Sequence, residues 1–104
     1  MLFRSVRGEF EEALKEFEIA VRLEPAEMMA IYNAGLVNMF RGKQEKSLEY
    51  FLRAESLGEE VFEVAFQIGR LYVETGAAEK GKNFLEKAAR IRPGSSSAFR
   101  YLGD

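Results

Sequence analysis

The chain is 104 residues long, enough for one domain, and is 47% apolar and 31% charged, an ordinary globular composition. It has no His, Cys or Trp and its single Asp is Asp104, so the usual ligands of zinc, iron–sulfur and haem sites and the commonest general base are missing. Fifteen Lys and Arg against 17 Asp and Glu give a net charge of −2, without the cation excess that nucleic-acid binding relies on, and no apolar run approaches the ~20 residues of a membrane-spanning helix.

The elements repeat. Gly8, Gly42 and Gly76 stand 34 residues apart, and so do Gly35, Gly69 and Gly103. Ala20, Ala54 and Ala88 keep the same period, as do Phe17, Phe51 and Leu85, and Ala13, Ser47 and Gly81. In chain order, residues 1–7 read as the last turns of a helix whose beginning is missing. Residues 8–25 read as the second helix of a partial repeat, stopped by Pro25. Its acidic residues Glu9, Glu11, Glu12, Glu16 and Glu18 form a solvated face near a helix N-terminus.

Residues 28–59 read as a full helix pair. The first helix carries a small-residue stripe, Ile31, Ala34, Gly35 and Asn38, and large apolar residues off that stripe. Gly42 opens the turn, and the second helix buries Leu48, Phe51, Leu52, Ala54 and Leu57 with charges on its other face. Residues 62–93 repeat the pair, with Ala65, Gly69 and Tyr72 on the stripe, Gly76 in the turn and Pro93 as the stop. Residues 96–104 read as the first helix of another partial repeat, capped by Ser95 or Ser96. The pairs Gly35–Ser47 and Gly69–Gly81 mark places where small side chains let two helices approach to ~8 Å. The expected fold is all-α, antiparallel helix pairs stacked in series, two full repeats flanked by two halves, as in a piece of a longer array.

The pattern resembles the tetratricopeptide repeat, a 34-residue helix–turn–helix. The resemblance rests on Ile68-Gly69-Arg70-Leu71-Tyr72 and on Ala13 to Phe17, Ala20 and Pro25, and it covers nearly the whole chain as a single domain. Asn38 stands where the family usually has Tyr, Ser47 where it has Ala and Glu59 where it has Pro. Ile31, Ala65 and Phe99 fill the place of the family Trp. The resemblance implies a right-handed superhelical stack, a concave groove lined by the first helix of each pair, and a non-catalytic scaffold that binds a protein or peptide partner without cofactor or metal.

Carried over by position, the groove would be lined by Met29, Tyr32, Asn33, Leu36, Met39 and Phe40, then by Glu63, Phe66, Gln67, Arg70, Val73 and Glu74, and then by Ser97, Arg100 and Tyr101. The periodicity supports part of this, because several of these residues are large and apolar yet lie off the packing stripes. Tyr32 and Phe66, one period apart, are expected to form an aromatic ladder for an extended peptide or a helix. Asn33 and Gln67 are placed to hydrogen-bond its backbone. A chaperone-tail carboxylate clamp is not expected, since Glu63 and Gln67 stand where cations are needed. The alternative is self-assembly into homo-oligomers through the groove or through exposed ends at Leu2, Phe3, Phe10 and Tyr101. With no cysteine and no secretory signal, the expected location is cytoplasmic.

Overall fold

The computed structural model describes residues 6–94, with side chains from Gly8 onward. Residues 96–104 and the ends at Leu2, Phe3 and Tyr101 lie outside the described residues. Five helices follow one another: α1 Val6–Leu23, α2 Met28–Phe40, α3 Gln44–Glu55, α4 Phe62–Glu74 and α5 Ala78–Ile91. There is no strand among the described residues. The helices form two compact units, one ending at Leu57 and the next beginning at Gly58.

The turns follow from two glycines. Gly42 and Gly76 have φ of 79° and 97°, a left-handed conformation that an L side chain rarely adopts. Each ends a first helix in the same way. The Gly42 amide donates to Met39 O and the Lys43 amide to Asn38 O; the Gly76 amide donates to Val73 O and the Ala77 amide to Tyr72 O. These are Schellman pairs, which satisfy the last carbonyls of α2 and α4 and reverse the chain. Gly8 shares their period but not their conformation. It lies within α1, which is helical from Val6, so the expected helix start at residue 8 becomes part of a longer helix.

In the first unit, Leu14 of α1 packs with Ala34 and Val37 of α2, and Phe10, Ala13, Phe17 and Tyr50 close around them. Phe51 of α3 is fully buried. A Cβ at Gly35 would lie 2.6 Å from the Phe51 ring, so the absent side chain of Gly35 is the notch that seats this ring. Phe51, rather than Ser47, occupies that notch. Burying such a ring stabilises by about 1.5–3 kcal/mol.

In the second unit, Phe62, Ala65 and Ala88 form a cluster with Phe66, Ala89 and Ile91 against it. Val64, Ile68, Leu71 and Leu85 are also buried. Here the expected close crossing is present between glycines. A Cβ on Gly69 would come within 2.7 Å of Leu85 Cγ and 3.0 Å of Gly81 O, and one on Gly81 within 2.8 Å of Gly69 O. Backbone meets backbone at this crossing of α4 and α5.

Candidate functional site

The first helices of the two pairs differ in kind. α2, MMAIYNAGLVNMF, has no charged residue in 13 positions. Its inward stripe, Ala30, Ile31, Ala34, Gly35, Val37 and Asn38, is buried. Off that stripe Met29 is 54% and Phe40 61% exposed, while Tyr32, Asn33, Leu36 and Met39 are half-buried. A helix that is apolar on all sides and not wholly covered leaves apolar surface in water. Glu27 fixes its start, accepting a hydrogen bond from the Met29 amide at 3.0 Å.

Two of the α2 aromatics have partners within the unit. The Tyr32 ring lies 5.3 Å from the Phe51 ring. Phe40 stacks on Phe10 of α1 at 5.7 Å and 16°, so Phe10 is half-buried instead of forming an exposed end. Beside this stack runs a polar network. Asn38, fully buried, donates through Nδ2 to Ala34 O at 2.9 Å. Its Oδ1 accepts from Arg41, which also pairs with Glu11 of α1 at 2.8 Å. Tyr72, one period on, faces Phe84 at 6.0 Å and Lys80 at 5.6 Å instead.

α4 carries its candidates on a charged line. Gln67 Oε1 accepts from Arg70 Nε at 3.2 Å and Nη2 at 3.0 Å, and Arg70 Nη1 pairs with Glu74 at 2.7 Å. Glu63 pairs with Arg92 at 3.2 Å, and the Arg92 guanidinium lies 4.2 Å from the centre of the Phe62 ring. Phe66 stacks on Phe62 at 5.6 Å and 9°. Val73 is directed at α5, where its Cγ2 would touch any Cβ on Gly81. Of the sequence-stated residues on α4, then, Phe66 and Val73 take part in packing, and Gln67 and Arg70 are bonded to each other. Tyr101 lies outside the described residues.

Among the described residues one titratable group is displaced. Burial, then the carboxylate of Glu18, push the Tyr50 phenol above its ordinary 10.0. Tyr50 lines an open cleft of about 520 Å³ between α1 and α3 with Glu18, Val21, Arg22, Pro25 and Arg53. Neither this cleft nor the Glu11–Arg41–Asn38 network was anticipated from sequence, although a polar residue on an apolar stripe at Asn38 was the visible sign of the latter. No helix among the described residues is long and apolar enough to cross a membrane.

Residues 62–95, which hold α4, its glycine turn and α5, match the tetratricopeptide repeat family. They are a tetratricopeptide repeat. Solved tetratricopeptide repeat structures share the fold. MamA is 22% identical with a TM-score of 0.84 over 90% of this chain and 51% of its own. YrrB, described as a tetratricopeptide repeat protein with an unusual peptide-binding site, is 22% identical with a TM-score of 0.86 over 91% of this chain and 49% of its own. The first such domain of Spaghetti, bound to an HSP90 peptide, is 16% identical with a TM-score of 0.85 over 92% of this chain and 76% of its own. The chain thus spans about half the length of MamA and YrrB. No curated protein matches its sequence closely enough to count as a relative.

Proposed function

We propose that the chain is a non-catalytic protein-interaction scaffold that holds a peptide or a helix along the first helices of its pairs, in the cytoplasm. The observation that carries this is α2, uncharged over 13 residues and still exposing Met29 and Phe40. Met29 offers an adaptable thioether surface, and Tyr32 an aromatic one. Asn33 supplies an amide of the kind that pairs with an extended backbone. On α4, one period on, Phe66 and Gln67 stand at the matching positions. That two proteins of the same fold are named for peptide binding supports the reading. A ligand with apolar side chains suits α2 better than one ending in a bare carboxylate, because Glu63 and the Gln67–Arg70–Glu74 line present no isolated cation.

The test uses peptides selected by display against the immobilised chain and titrated in solution. Met29→Glu puts a charge on an exposed position and leaves the core alone. It is expected to weaken binding by about tenfold or more, equivalent to about 1.4 kcal/mol. Phe66→Leu keeps the apolar volume needed against Phe62 and is expected to weaken binding several-fold. Unchanged affinity in both variants, with unaltered helicity, would remove α2 and α4 as the binding surface.

A further inference from the structure

The uncovered side of α2 is a single line of side chains. Met29, Leu36 and Phe40 fall within about 20° of one line along the helix, opposite the buried Ile31 and Asn38. From Met29 to Phe40 the line runs three turns, about 16 Å. Its two ends are exposed and its middle is half-buried. The line belongs to α2 and not to α4. One period on, the same positions hold Glu63, Arg70 and Glu74, each in an ion pair within its own unit.

Hydrogen bonding determines which form of chain suits this line. An extended peptide brings one N–H and one C=O per residue, and about five residues cover 16 Å. α2 answers few of these groups. Asn33 is the one amide side chain beside the line, because Asn38 is buried and bonded to Ala34 O and Arg41. Backbone groups pressed unpaired on an apolar face cost free energy, whereas a helix satisfies its own. Charge then sets the direction. α2 carries no charge, so the side of the ligand that faces it has to be uncharged as well. Beyond the line, the exposed Glu24 and Glu27 precede α2 and the exposed Lys43 follows it. A helix with an acidic first turn and a basic last turn matches both ends only when it runs antiparallel to α2. Its own dipole favours the same distribution of charge.

We propose that α2 receives an amphipathic helix of a partner protein, laid antiparallel along Met29, Leu36 and Phe40. Its facing residues are apolar at i, i+4, i+7 and i+11, with an acidic residue near its start and a basic one near its end. This rests on α2 being the binding surface and adds the form, direction and charge of what binds there.

The probes are peptides of about 16 residues, long enough for four turns, selected by display from a randomised library on the immobilised chain. Those whose affinity falls with Met29→Glu are kept. If none does, the binding surface and the helix are both overturned. The kept peptides are expected to show apolar residues at three- and four-residue intervals over three turns and to gain helicity on binding, read by circular dichroism. A proline at their middle is expected to weaken binding by about a hundredfold. Apolar residues that alternate over five or six positions, with the proline tolerated, would overturn the helix and leave the α2 surface standing. A spin label at the peptide N-terminus is expected to broaden the amide signals of Phe40 and Lys43, and Lys43→Glu to weaken binding several-fold. Broadening at Met29 instead would overturn the antiparallel direction. A dimer that forms without peptide and is lost in Met29→Glu would put a second copy on the line and overturn the partner helix.

Discussion

At the scale of single residues, two departures from the usual repeat pattern have opposite costs. Ser47 is fully buried, and its Oγ has no hydrogen-bond partner among the described residues. An unpaired buried hydroxyl costs about 1–3 kcal/mol, and Ala is also the better helix former. Ser47→Ala is therefore expected to stabilise the chain by about 1 kcal/mol, read as a rise of several degrees in Tm. Gly81→Ala gains about 1 kcal/mol in helix propensity, but its methyl would lie 2.8 Å from Gly69 O and 3.0 Å from Val73 N. Val73 Cγ2, at 2.6 Å, is nearer still; the side chain can turn away, but the two backbone atoms yield only by moving α4 as a body, and overpacking of this kind costs about 1–3 kcal/mol. The expected net is a loss of up to about 2 kcal/mol in urea denaturation; a gain would mean that α4 and α5 yield at the crossing without strain. Tyr50 adds a pH dependence. Its folded pKa is raised, so its contribution is intact below the unfolded value of 10.0 and is lost as pH rises through the folded one. Stability is expected to fall above about pH 10, and Tyr50→Phe, which keeps the ring against the Leu14–Ala34–Val37 cluster, to flatten that fall.

At the scale of the elements, α4 and α5 are held at one end by Arg92, over Phe62 and against Glu63. Both members of the ion pair are about half exposed, so the pair itself adds little, and the guanidinium on the ring adds about 0.5–1 kcal/mol. Arg92→Ala is expected to cost about 1 kcal/mol by thermal denaturation, with most of the loss persisting in high salt. A loss that high salt abolishes would assign it to Glu63 instead. The helix pairs around Gly42 and Gly76 and the turns between them were legible in the sequence, because a left-handed backbone at those turns calls for glycine whatever surrounds it. Gly8 kept the period and lost the turn, since a glycine permits a reversal without forcing one. The surplus apolar face of α2 was legible for the same reason that stripes are, from spacing alone. The partners were not. Helical spacing gives the face on which Phe66 and Val73 lie, but not that Phe62 stacks on one and Gly81 receives the other.

For the whole molecule, stability in a repeat array is close to a sum over repeats and the contacts between neighbours. Each unit has its own core, Leu14, Ala34 and Val37 in one and Phe62, Ala65 and Ala88 in the other. A substitution that strains only the α4–α5 crossing therefore raises the opening of its own unit first. Amide hydrogen exchange reads this helix by helix, because each protected amide reports the cheapest opening that exposes it. Gly81→Ala is expected to speed exchange of the core amides of α4 and α5 by about tenfold for each 1.4 kcal/mol lost, with a smaller change in α2 and α3. Ser47→Ala is expected to do the reverse, slowing α2 and α3 while leaving α5 nearly as it was. Equal changes in all five helices for both variants would show that the chain opens as one cooperative block. Its stability would then reside in the contacts between repeats more than in either core.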